Sequence, residues 1–115
     1  MRAVLLSFAL LVAPIQTAQA KSNEAAHFSG TELYAMCASK YDTDYGYCAG
    51  YVSAIANTML TESVSGYRAC NLTQARSQEF VDVYTSYADI FRDKLDGEAR
   101  DTVAAALARA FPCVN

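Results

Sequence analysis

From Phe28 onward, apolar residues recur three and four positions apart in four separate stretches, each bounded by a polar or small-residue break. That spacing is the period of an amphipathic helix. The first stretch opens on Ser29 and Glu32, placed as a capping box, with Phe28 and Leu33 at the two staple positions. Leu33, Met36 and Cys37 follow at helical spacing, and Lys40 continues the register. Tyr41 to Gly46 (YDTDYG) is turn-like, so a second helix is expected to begin near Tyr47. Its stripe is Cys48, Tyr51, Val52, Ile55, Met59 and Leu60, beside small residues Gly50, Ser53 and Ala54 that allow a neighbouring helix to approach. Thr61 to Ala69 reads as a loop around Gly66, and Asn71-Leu72-Thr73 as the next helix start. The third helix is expected to carry Phe80, Val83, Tyr84, Tyr87, Phe91 and Leu95 toward the core. Its other face holds Glu79, Asp82, Asp89, Arg92 and Asp93. Asp96-Gly97 is a break, with Gly97 suited to a left-handed helix end. The fourth helix has the stripe Ala99, Val103, Ala106, Leu107, Ala110 and Phe111, and Pro112 ends it. No run alternates with period two long enough for a strand. The pattern predicts a single all-α domain, a small bundle of about four helices.

Composition changes this picture at the N-terminus. Of the first 20 residues 14 are apolar, against 47 of the remaining 95. Met1 to Ala20 reads as a secretory signal peptide: Arg2 supplies the positive end, Ala3 to Ala13 the apolar run, and Ala18-Gln19-Ala20 the cleavage site. The apolar run of 11 residues is too short for a bilayer, which needs about 20. Residues 28–114 then form the folded domain. Without Arg2 the chain has 8 basic and 12 acidic residues, a balance poorly suited to nucleic acid. The 47 apolar residues include 16 Ala, 8 Tyr and 4 Cys, which leaves 19 Leu, Ile, Val, Met and Phe. A core this thin calls for covalent staples.

Cys37, Cys48, Cys70 and Cys113 are an even set in a small exported chain, the pattern of two disulfides. Their spacing has no C-x-x-C pair and His27 is the single histidine, which argues against a metal site. In an up-down-up-down bundle, Cys37 closes the first helix and Cys48 opens the second at the same end. Cys70 precedes the third helix and Cys113 follows the fourth at the other end. Among the three possible pairings this arrangement favours Cys37–Cys48 with Cys70–Cys113.

Tyr47-Cys48-Ala49-Gly50-Tyr51-Val52 resembles the Y-C-x-G-Y-[IV] signature of the Tai-like (Rap/Tai) immunity proteins of type VI secretion amidases. The end of the chain, Ala104 to Cys113, resembles that family's A-L-x-x-A-F-P-C terminus, and Leu33 with Cys37 fits its first helix. The resemblance spans about Phe28 to Cys113. It implies a small periplasmic helical protein, often a homodimer, that occludes the cleft of a secreted peptidoglycan amidase.

Catalysis finds little support in the residues. His27 lies before the first helix, no G-x-S-x-G elbow is present and every cysteine is committed to a bridge. The chain is therefore expected not to be an enzyme and to need no cofactor. Asp42-Thr43-Asp44-Tyr45-Gly46 has the start of a calcium loop, but positions five and twelve would be Gly46 and Ser53. A partner surface suits the residues better. Tyr41, Tyr45 and Tyr47 flank acidic Asp42 and Asp44 beside a disulfide, and tyrosine gives contact area at low entropic cost. Asp42, Asp44 and Tyr45 are the expected contacts, and Arg92 to Glu98 is a second charged patch. A rival function is an acid-stress periplasmic chaperone, since 12 carboxylates over a thin core would lose charge balance on acidification. A structural periplasmic domain with an unidentified partner is the third.

Overall fold

The first helix begins where the capping box places it. In the computed structural model, which describes residues 9–14 and 28–114, Ser29 Oγ accepts from the Glu32 N–H at 3.1 Å. The Glu32 carboxylate in turn accepts the Ser29 N–H at 2.8 Å. The Ala18-Gln19-Ala20 site and His27 lie outside the described residues. Four helices follow: α1 (Gly30–Cys37), α2 (Asp42–Met59), α3 (Ser77–Ile90) and α4 (Ala99–Ala110). Single 3₁₀ turns at Leu72–Gln74 and Arg92–Lys94 precede and follow α3. The described residues contain no strand beyond two isolated bridges, so the domain is all-α, and every helix touches the other three.

The segment Tyr41–Gly46, expected as the turn, is instead the start of α2. Asp42 and Asp44 occupy its first turn, where carboxylates face the positive end of the helix dipole. Ser39 Oγ closes the short connection, donating to Asp44 at 2.7 Å and accepting the Tyr41 N–H at 3.2 Å. Aspartate favours turns and helix starts alike, which is why composition misplaced the boundary. Cys48 therefore sits in the second turn of α2 rather than at its opening. Asn71 does not start α3. It takes a left-handed conformation (φ 61°) ahead of the 3₁₀ turn. At its other end α3 stops at Ile90, so Leu95 joins the core from the turn beyond it. Gly97 does not adopt the expected left-handed conformation. The loop after α2 holds a tight Val64–Tyr67 turn, with Ser65 at φ 52° and Gly66 at φ 81°. Two left-handed residues in succession define a type I′ turn. Ser65 Oγ donates to Asp101 of α4 and ties this loop down.

Strict up-down-up-down alternation does not hold, because α1 and α4 start side by side. The first N–H groups of a helix lack intrahelical acceptors. Those of Gly30 and Thr31 find the carbonyls of Gly97 at 3.0 Å and Leu95 at 2.9 Å. The Ala99 N–H reciprocates to Phe28 O at 2.8 Å. The favoured cysteine pairing nevertheless holds, as Cys37–Cys48 and Cys70–Cys113. Here the constraint is local: Cys37 and Cys48 are 11 residues apart, and the Cys70 N–H donates to Phe111 O at 2.9 Å.

Leu33, Val52, Tyr84, Val103 and Leu107 are fully enclosed at the centre. Small residues of α4, Ala99, Ala104 and Ala106, are buried with them and let the neighbouring helices come close. The buried face of α3 is Phe80, Val81, Tyr84 and Ala88, rotated from the expected stripe. Val83, Tyr87 and Phe91 are left only partly covered. Tyr84 Oη donates to Gly30 O at 2.8 Å and lies 3.2 Å from Thr102 Oγ1, so its polar end is satisfied inside the core. Gly30 is held tightly here. A Cβ on it would meet Thr102 Oγ1 at 2.8 Å and the Leu95 carbonyl oxygen at 2.9 Å. Gly30→Ala is expected to destabilise by about 2 kcal/mol as overpacking against backbone, read as a lowered urea midpoint. In contrast, Gly46→Ala meets nothing within 4 Å and should be neutral or stabilise α2 by up to about 1 kcal/mol.

Candidate partner-binding surface

The residues expected to form a contact lie together on the first turns of α2, but they do different work. Asp42 is exposed. Asp44 is half-buried and engaged by Ser39, and Tyr45 leans on the core with its hydroxyl donating to Gln78 Oε1 of α3. The exposed aromatics are their neighbours, Tyr41 at 64% and Tyr47 at 52% exposure. Phe28 meets Tyr47 and Tyr51 edge-on at 5.6 and 5.4 Å, which braces both tyrosines from below α1. Tyr47 and Tyr51 lie roughly parallel to each other, one helical turn apart, at 6.4 Å. Gly46 and Gly50, one turn apart beside them, leave the helix backbone open. Burial, and then the neighbouring Tyr47, raise the Tyr51 phenol above the ordinary tyrosine range. A groove of about 550 Å³ separates this end of α2 from α1, lined by Phe28, Ala35, Met36 and Tyr41 with Glu32 and Asp44 at its edge. The surface is thus aromatic and acidic, held by the Cys37–Cys48 bridge beneath it.

A second surface lies on α3. Val83, Tyr87 and Phe91, expected in the core from their spacing, instead join Ile90, which is 68% exposed, in lining an outward groove between α3 and α4. Ala106 and Ala110 form its other wall, and its volume is about 370 Å³. Tyr87 and Phe91 pack at 4.7 Å, and the Arg109 guanidinium stands over the Phe91 ring at 5.1 Å. Burial raises the Tyr87 phenol, and the Arg109 charge partly offsets it. A signal was present. At a helical turn of about 100° per residue, the apolar positions 80, 81, 83, 84, 87, 88, 90 and 91 cover about half the circumference, too wide an arc for one core-facing stripe.

The charged patch from Arg92 to Glu98 is largely engaged within the chain. Arg92 reaches Asp89 at 3.3 Å and Tyr34 Oη at 3.1 Å, and Lys94 lies over Phe91 at 5.7 Å. The Asp89 hydrogen bond raises the Tyr34 phenol. Asp42 and Asp44 gather no third ligand: among the described residues, no group of three or more His, Cys, Asp or Glu side chains is placed to hold a metal ion. Both disulfides use all four cysteines. No helix among the described residues is long and apolar enough to cross a membrane.

Comparison with known proteins agrees with this architecture at the family level. A family model described as Rap1a immunity proteins matches residues 29–113. That span runs from the N-cap of α1 to the last cysteine. No match is found among curated proteins or among solved structures.

Proposed function

The chain belongs to the Rap1a immunity protein family, and from that premise we propose that it protects its cell by binding and blocking a peptidoglycan amidase delivered by type VI secretion. Family membership carries the reading of an immunity protein directed at a secreted effector. The disulfides support an oxidising, extracytoplasmic compartment, which we assign to the periplasm after removal of residues 1–20. The mechanism is steric occlusion. A bound partner buries the exposed aromatics, while acidic groups at the rim steer basic partner residues. No catalytic group or cofactor takes part, and self-association into a homodimer belongs to the same proposal.

Within this reading, the start of α2 contacts the amidase. Asp42 with Tyr41 and Tyr47 touches the partner, and Asp44 and Tyr45 hold that turn in place through Ser39 and Gln78. The α2 backbone at Gly46 and Gly50 is open to close approach. The test is calorimetric titration of the mature chain with the purified type VI amidase of the same genome, alongside a peptidoglycan hydrolysis assay. Asp42→Ala combined with Tyr47→Ala is expected to weaken binding at least tenfold, about 1.4 kcal/mol, with a modest drop in thermal stability from the lost Phe28 and Tyr51 ring contacts and the fold retained by circular dichroism. Asp44→Ala and Tyr45→Ala should weaken it indirectly and lower stability as well. Unchanged affinity in the Asp42/Tyr47 variant removes this surface. Absence of inhibition by the wild type removes the amidase.

A further inference from the structure

The α3–α4 groove shares no residue with the start of α2, and its chemistry is specific. Its floor is apolar, formed chiefly by Val83, Ile90, Phe91 and Ala106, and about 370 Å³ is room for a large side chain. Its rim is not apolar. Among the described residues no carboxylate lies within ion-pair distance of Arg109, whose guanidinium is positioned over Phe91. Tyr87 lines the same groove; its hydroxyl makes no hydrogen bond among the described residues, and Tyr67, Arg109 and Asp93 all act on its phenol. Asp82, also at the groove, already accepts from Gln78 Nε2 at 2.9 Å. Two donors without acceptors therefore border an apolar floor, and a planar guanidinium is matched to a carboxylate. Ile90, 68% exposed, extends the partly covered Val83, Tyr87 and Phe91 into one contiguous apolar patch, the kind of surface that marks a contact site.

We infer that this groove is a second docking site for the secreted effector, receiving an apolar or aromatic side chain flanked by an aspartate or glutamate that pairs with Arg109 and Tyr87. The identity of the occupant rests on the function proposed above, whereas the chemistry of the groove does not. The effector would then be gripped at two places, through acidic groups on α2 and through a cation on α4. Opposite charge preferences at two sites fix the orientation of the partner more firmly than either site alone.

Two measurements test it separately. In the first, the mature chain labelled with ¹⁵N is titrated with acetyl-Asp-Phe-amide and with acetyl-Asn-Phe-amide. Shifts centred on Ile90, Phe91 and Arg109, several-fold larger for the Asp peptide and abolished in Arg109→Glu, are expected. Equal shifts for both peptides, or none in the groove, overturn the assigned chemistry whatever the effector is. Tighter binding of decanoate than of the peptide at the same residues makes the occupant a free amphiphile and overturns the protein segment. In the second, the amidase is titrated against Ile90→Asp and Arg109→Glu, both at exposed positions, with thermal unfolding as the control. Each is expected to weaken binding at least tenfold, with Arg109→Lys intermediate because it keeps the charge but loses the fork. Wild-type affinity in both variants overturns the second docking site and leaves the α2 contact standing. Conversion of a dimer to a monomer in both variants, with amidase affinity intact, makes a second copy the occupant and also overturns it. If the wild type binds no amidase, the effector as occupant falls together with the proposed function, and the peptide result alone then decides the groove's chemistry.

Discussion

Replacing Cys70 and Cys113 together by alanine is expected to remove about 4 kcal/mol of stability, the largest loss of any change considered for this chain. The bridge closes a sequence separation of 43, and loop-closure entropy grows with the logarithm of that length. Cys37–Cys48, with a separation of 11, should contribute about 3 kcal/mol by the same relation. The bridges matter because the enclosed centre of the bundle is small. Its largest fully buried side chains are one tyrosine, two leucines, two valines and a cysteine. The Cys70–Cys113 bridge also holds the chain beyond α4, where Phe111 packs edge-on against Phe80 at 5.9 Å. Urea unfolding of the two double variants, followed by circular dichroism, checks the ranking. A larger loss for the Cys37/Cys48 variant would mean that local packing outweighs chain entropy. The bridges should also reduce in order. Cys113 is exposed and Cys70 half-covered, whereas Cys37 and Cys48 are buried, so a dithiol reaches the C-terminal pair first.

The second large effect is alkaline. Tyr84 is fully enclosed, and burial pushes its phenol from the ordinary 10.0 up to about 12, with the Thr102 hydrogen bond pulling slightly the other way. The folded state therefore favours the neutral phenol, and ionisation is easier in the unfolded chain. The stabilisation is fully present below pH 10 and is lost as pH rises from 10 to about 12. A difference of that size corresponds to about 3 kcal/mol at the far end of the window. Unfolding free energy measured at pH 9 and at pH 12 should show the loss in the wild type. Tyr51 and Tyr87 shift in the same direction but are only half-buried, so Tyr84→Phe isolates the central contribution. That variant should be less stable near neutral pH by about 1–2 kcal/mol, because the Gly30 carbonyl and Thr102 lose their partner. Its further decline above pH 10 should be much shallower. An equally steep decline in Tyr84→Phe would place the alkaline sensitivity elsewhere.

Several features were legible because they are written in short stretches of chain. The capping box at Ser29 and Glu32 located the first helix to the residue. Apolar spacing in α2 and α4 identified most of their buried positions, including Cys48, Val52, Met59, Val103 and Leu107. Boundaries that depend on competition between conformations were less legible. The Asp-rich segment at 42–46 suits a turn and a helix start equally; in the fold it opens α2, with the Ser39 contact to Asp44 among the interactions that hold it there. The expected contact residues Asp42, Asp44 and Tyr45 do share one surface, but the hydrogen bonds that tie Asp44 to Ser39 and Tyr45 to Gln78 of α3 were invisible in one dimension. Of the three only Asp42 is exposed, and the exposed aromatics are Tyr41 and Tyr47.

The chain by itself determined the class of this molecule. Four apolar stretches at helical period, an even set of four cysteines in a small chain and a family signature at Tyr47–Val52 and Ala104–Cys113 are local patterns, and local patterns survive without a structure. The tertiary structure alone decided how the faces were allotted. Helix α3 has more apolar residues than one neighbour can cover. The packing of α3 against all three other helices put Val81 and Ala88 in the core, and left Ile90 and much of Tyr87 and Phe91 facing outward at the groove beside α4. The same packing brought Gly30 and Thr31 against the carbonyls of Gly97 and Leu95, so α1 starts beside α4 instead of opposite it. Both outcomes follow from contacts between residues more than sixty positions apart or from the rotation of one helix against another, and no periodicity along a single helix encodes either.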